Sequence, residues 1–137
     1  MTMQRVFTCT DRSRLGRLLL SDFARAATTR RMLDDLEWEL EESEAVQSEL
    51  IPGDIVTMNS TVRMIDVNSG AEIVCTVVYP EDVEMVNDGI SVLDPLGNRL
   101  VGCEVGDLVE CESQEDRGPW RVTEILFQPE RAGDFTL

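Results

Sequence analysis

Histidine and lysine are both missing from this 137-residue chain, and aromatic side chains make up only 5% of it. Without histidine there is no Ser-His or Cys-His dyad and no imidazole ligand for zinc. Without lysine there is no Schiff-base amine and no phosphate-loop ammonium. Carboxylates are the only residues left that could serve acid–base or Mg2+ chemistry. The four cysteines, at positions 9, 75, 103 and 111, form no CxxC pair. They are expected to be small buried apolar residues rather than metal ligands or disulfide partners. No apolar run reaches the ~18 residues of a membrane span. The opening MTMQRVFTCTDRSRLGRLLL is too often broken by arginine for a signal peptide. A cytoplasmic location with no membrane contact and no cofactor is the expectation.

What the chain holds in excess is negative charge. Its formal net charge of −15 argues against direct binding to duplex DNA or RNA, which depends on neutralising phosphates with basic side chains. The charge is also uneven. Residues 1–31 contain seven of the twelve arginines and only Asp11 and Asp22 as acids, a balance of +5, so the remainder carries −20. With 42% hydrophobic residues, the length suits one domain with a core of its own plus an appendage.

Periodicity divides the chain near residue 50. In TDRSRLGRLLLSDFARAA, the residues Leu15, Leu18, Leu19, Phe23 and Ala26 recur at three- and four-residue steps behind Thr10 or Asp11 as a cap, which predicts an amphipathic helix. The polar break after it falls near Ala27–Thr29, or nearer Ser21 and Asp22. A second helix, roughly Thr29 to Ser48, carries Leu33, Leu36 and Leu40 on one stripe and acidic flanks that could face Arg14, Arg17 and Arg25. Residues 1–50 are therefore expected to form an antiparallel two-helix hairpin, a short coiled coil.

From Ile51-Pro52-Gly53 onward the period becomes that of strands. IVTMNSTVRMIDV and AEIVCTVVYP flank an NSG turn, EDVEMVNDG reads as a loop, and ISVL is a short strand. DPLGNRLVG suits a brief helix with Pro95 near its start and Gly102 at its end, and DLVECES and PWRVTEILFQP are strands around an EDRG turn. The expected class is α+β, with residues 51–137 an antiparallel sheet bearing one short helix. The tail ERAGDFTL reads either as an ordered edge or as a frayed end.

DPLGNRLVGCEVGD, residues 94–107, resembles the C-terminal segment of the GreA/GreB transcript-cleavage factors through Pro95, Leu96, Gly97, Leu100, Gly102, Gly106 and Asp107. VTMNSTVRMID, VVYPED and FQPERAGDF resemble more closely the Rnk-like branch, named for regulators of nucleoside diphosphate kinase. The resemblance implies an FKBP-like C-terminal sheet and a non-enzymatic elongation regulator, a monomer or weak dimer. It would dock at the rim of the RNA polymerase secondary channel and point its helical arm inward. It also implies that Asp94, Pro95, Leu96 and Gly97 form the docking loop. Arg99 departs from the pattern, standing where Gre factors carry a small residue.

Gre-type arms end in an acidic pair that holds Mg2+ at the polymerase active centre. Here Asp22 is the only acid at the expected tip, with Arg25, Arg30 and Arg31 beside it, and the first helix would span only about 20 Å. Asp34 and Asp35 point about 100° apart on a helix and read as first-turn acids. No metal site and no stimulation of cleavage are expected. Two further readings come from other classes. An FKBP-type isomerase would need a pocket of aromatic rings, but alternation puts Trp120 and Phe127 on opposite sheet faces. An acidic scaffold contacting another protein, such as a nucleoside diphosphate kinase, would use the second helix and Trp38.

Overall fold

The computed structural model describes residues 5–110 and 119–135. The chain enters as a three-residue strand, β1 (Val6–Thr8), and turns directly into helix α1 (Cys9–Leu19). The cap is Thr8, whose Oγ1 accepts from the Asp11 amide at 2.9 Å. It is neither Thr10 nor Asp11, because β1 carries the chain into the helix earlier than the leucine spacing implies. Helix α2 (Asp22–Ala27) follows, capped by Ser21, and α3 (Arg30–Glu42) is capped by Thr29. Both candidate break points are thus used. Ser21 and Thr29 each offer a hydroxyl to an amide three residues on, and each hydroxyl starts a new helix.

Residues 10–50 differ from the expected hairpin at their far end as well. Helix α3 stops at Glu42, and Ser43 Oγ donates back to the Leu40 carbonyl at 2.8 Å. Strand β2 (Glu44–Val46) then pairs in parallel with β1, Phe7 opposite Ala45. A 3-10 turn, Ser48–Leu50, leads out. The N-terminal part is three helices closed by a two-stranded clasp, a long-range pairing that local periodicity does not reveal.

The second sheet has the order β5-β4-β3-β7-β6. Strand β3 (Thr61–Asp66) is preceded by the irregular segment 54–60 rather than starting at Ile55. The NSG turn forms as expected, with Asp66 Oδ1 accepting from the amides of Asn68 and Ser69 and Gly70 at φ 78°. Strand β4 (Glu72–Val78) ends where Pro80 opens a 3-10 helix, Pro80–Met85, in place of a plain loop. Strand β5 (Gly89–Ser91) lies parallel to β4, so the sheet is mixed. Helix α4 (Pro95–Leu100), β6 (Leu108–Val109) and β7 (Trp120–Phe127) complete it. The EDRG turn and Cys111 lie outside the described residues.

Along β3, Val62, Met64 and Asp66 are buried while Thr61, Arg63 and Ile65 alternate outward. One apolar cluster spans both parts of the chain, from Phe7 to Ile125. It joins Phe7, Leu15, Ala24, Leu36 and Leu40 to Val56, Met58, Leu96, Trp120 and Val122. The helices therefore gain their stability from packing on the sheet, which short helices need. The tail is ordered against residues 52–57. Gln128 Nε2 donates to the carbonyls of Pro52 and Ile55, each at 2.8 Å, and Thr57 Oγ1 donates to Glu130 at 2.7 Å. The cysteines divide. Burial pushes the Cys75 thiol up to about 12 and that of Cys103 up to about 11, so both stay protonated and inert at neutral pH. Cys9 is exposed on the first residue of α1, contrary to expectation.

Candidate docking site

Helix α4 begins with Asp94 at the cap position and Pro95 at its first residue, where the missing amide costs nothing. The Asp94 carboxylate does not cap the helix. It turns back to accept from the Ser91 amide at 3.3 Å, while the Ser91 hydroxyl accepts from the Leu93 amide at 3.0 Å. Residues 91–94 are thereby locked as a tight turn between β5 and α4.

The four residues singled out from sequence are adjacent but not equivalent. Asp94 is exposed, Pro95 is half-buried, and Leu96 is only 7% exposed, as part of the core. Gly97 is buried so tightly that a β-carbon there would lie 2.1 Å from the Ser91 carbonyl oxygen. Leu96 and Gly97 accordingly shape the segment, and the groups open to a partner are Asp94, one face of Pro95, and Arg99. Gly97→Ala is expected to cost about 1–3 kcal/mol through overpacking against rigid backbone. That would be read as a Tm lower by roughly 5–10 °C; an unchanged Tm would mean that the turn yields.

One residue that sequence reasoning missed ties this segment to the helices. Arg5 Nη1 donates to the carbonyls of Asn98 at 2.7 Å and Val101 at 3.4 Å, and its Nε lies 3.5 Å from Glu39 of α3. A guanidinium at the C-terminal end of α4 satisfies carbonyls that the helix leaves open and meets the negative end of its dipole. Nothing in the local pattern around Arg5 signals a contact across more than ninety residues.

The other named residue, Asp22, is fully exposed in the first turn of α2 and lies 3.7 Å from Arg25. Asp34 and Asp35 are exposed on α3, Asp34 being 3.9 Å from Arg30. Among the described residues no three His, Cys, Asp or Glu side chains gather into a set that could hold a metal ion.

A second cluster joins α1 to the segment before β3. Asp11, 2% exposed, accepts from the Met58 amide at 3.0 Å. Desolvation pushes its carboxyl up to about 7. The charge of Glu130 pushes the same way, while the Met58 bond, Arg14 and Thr8 pull it down. Burial likewise raises the Tyr79 phenol, with the Asp11 charge adding to the shift and Arg14 offsetting it. Arg14 and Tyr79 line a groove of about 580 Å3 that Glu81 and Asp82 also line. It is Arg25 that shares a groove with the α3 acids Asp34 and Glu37.

These features define a mixed α+β protein in which a short helical segment packs on a curled sheet. The chain belongs to the GreA/GreB family. Residues 51–127 match the family described as transcription elongation factor, GreA/GreB, C-terminal. The chain is 37% identical over 105 residues to the regulator of nucleoside diphosphate kinase of Escherichia coli K12, covering 76% of this chain and 77% of that one. It is 36% identical over 84 residues to the transcription elongation factor GreA of Clostridium beijerinckii, of which it spans 52%. Among solved structures, the elongation factor GreA/GreB of Nitrosomonas europaea superposes with a TM-score of 0.74 at 35% identity, over 92% of this chain and 100% of the other. Among the described residues no helix is long and apolar enough to cross a membrane.

Proposed function

We propose that this protein is a cytoplasmic, non-enzymatic regulator that binds RNA polymerase at the rim of the secondary channel and occupies the channel without stimulating transcript cleavage. In this reading residues 51–137 are an FKBP-like docking domain and residues 1–50 a shortened arm. The observation that carries it is the contrast between the two ends of the chain. The α4 segment of the family resemblance presents exposed Asp94 on a turn locked by its own hydrogen bonds and exposed Arg99 on the helix that follows. The helical end presents one carboxylate, Asp22, beside a guanidinium. A lone acid next to a cation is a poor Mg2+ ligand set, whereas cleavage stimulation calls for two convergent carboxylates. Helix α3, at 13 residues, extends only about 20 Å.

The isomerase reading finds no support in the aromatic side chains. Trp120 is buried in the core, while Phe127 and Phe135 are about 40% exposed, so these rings differ in their access to solvent. A second reading, a scaffold acting on nucleoside diphosphate kinase without polymerase, is favoured by the name of the E. coli relative and by exposed Trp38 on acidic α3.

The deciding experiment is capture of core RNA polymerase by the tagged protein with GreB as competitor, alongside Asp94→Arg and Arg99→Asp. Binding that GreB displaces is expected, with a tenfold or greater loss in at least one variant and no added cleavage in stalled complexes. Failure to bind polymerase at any ratio would remove this reading and leave the scaffold.

A further inference from the structure

Helices α1, α2 and α3 enclose a groove of about 500 Å3 floored by Leu19, Leu20 and Leu33. Leu20 is 75% exposed, and Phe23, which falls between the lining residues Leu20 and Arg25 in the chain, is 59% exposed. A leucine left this open on the groove wall, and a phenylalanine left this open on α2, mark a contact surface. Charge indicates what the contact is.

The chain as a whole carries −15, yet residues 20–37 hold three arginines against four acids, a net −1. This is where a second copy meets little of the repulsion that the rest of the acidic chain would impose. The rim of the groove also carries both signs, Arg25 and Arg30 with Asp34 and Glu37. A two-fold axis turns such a rim onto itself so that cations of each copy meet acids of the other, the self-complementarity an isologous interface requires. The ion pairs within one chain are no obstacle. Arg25–Asp22 at 3.7 Å and Arg30–Asp34 at 3.9 Å are long and exposed, and such pairs are weak enough to exchange partners.

We propose that this groove is the interface of a two-fold homodimer, in which Phe23 of each protomer fills the partner's groove and Arg25 lies against the partner's Asp34. The interface buries the end of the molecule that carries Asp22. Dimerisation and insertion of that end into any narrow channel therefore exclude one another, and the free monomer is the form open to other partners. The proposal stands independently of polymerase binding.

Sedimentation velocity on the full chain, from micromolar to near-millimolar concentration, tests it. The expected result is a reversible rise from the 15.4 kDa monomer mass toward twice that value, with the midpoint moved at least tenfold higher by Phe23→Ser. Arg25→Asp and Asp34→Arg should each remain monomeric alone. An equimolar mixture of the two should dimerise, because each brings the charge that the other's partner site now needs. A structural defect in either variant could not be repaired in this way. A wild-type chain that stays monomeric throughout, a dimer indifferent to Phe23→Ser, or a mixture no more associated than its components would each overturn the proposal.

Discussion

Leu96→Asp is expected to unfold the protein rather than to weaken one contact. The side chain is 7% exposed and belongs to the continuous apolar cluster. Removing a buried leucine costs about 2–5 kcal/mol, and placing a carboxylate in the vacated space adds the penalty of an unpaired buried charge. A total of about 4 kcal/mol or more would consume much of the ~5–15 kcal/mol that stabilises a domain of this kind. Urea denaturation followed by Trp120 fluorescence should show a collapsed midpoint or no transition at all. An unchanged midpoint would instead make Leu96 a surface group and return it to the docking face. The exposed neighbours differ. Asp94→Arg forfeits one long hydrogen bond to the Ser91 amide and Arg99→Asp forfeits none through its side chain among the described residues, so each should cost about 1 kcal/mol or less. Loss of polymerase binding in these two could be attributed to the surface, whereas loss in Leu96→Asp could not.

The described residues from 51 onward were largely legible because their signals are local. The NSG turn, the stop at Pro80, the DG turn with Asp88 at φ 56° and the Pro95 helix start each follow from the backbone preferences of one or two residues. The opposite placement of Trp120 and Phe127 also held, though by cancellation. Strand β7 slips one residue against β3 twice, between Thr61 and Val62 and between Arg63 and Met64, and two reversals of parity restore the original alternation. The N-terminal part was less legible because its organisation is set by distant partners. Strand β1 is too short to alternate, and β2 exists only because β1 pairs with it. Ser21 and Thr29 were read as alternative ends of one helix, and the apolar spacing that continues across Ser21 concealed that both act, dividing the segment into α1 and α2.

The same distinction applies to the site. Asp94 and Asp22 stood out by type and position alone, and both are exposed. Arg5 and Asp11 were missed as site residues because what matters about them is what they touch. Arg5 reads as one arginine among seven in a basic segment, and only the fold sets it against Asn98, Val101 and Glu39. Asp11 reads as a helix cap, and only the fold buries it under the Met58 amide.

Asp11 gives the chain a distinct dependence on pH. Its carboxyl titrates near 7 when folded and near the ordinary ~3.9 when unfolded, so the folded state binds the proton more tightly. The contribution to stability is therefore fully present below about pH 4, declines by about 1.4 kcal/mol per unit as pH rises, and is gone above about 7. Across that window the loss is on the order of 4 kcal/mol, set chiefly by desolvation and then by the charge of Glu130. Other carboxylates superimpose their own trends, so the informative quantity is the difference between the wild type and Asp11→Asn. The amide keeps the shape and can still accept from Met58, but it carries no charge to desolvate. Asp11→Asn should be more stable than wild type by about 1–3 kcal/mol at pH 8 and should lose that advantage by pH 5, where the native carboxyl is already protonated. Urea midpoints for both proteins at the two pH values decide the matter. A difference that does not change with pH would mean that Asp11 is ionised throughout and that Arg14 and the Met58 amide outweigh its burial. A difference that shrinks toward pH 5 would establish that the contact between α1 and the Met58 segment is held by a neutral acid at or below neutrality and strained by a buried charge above it.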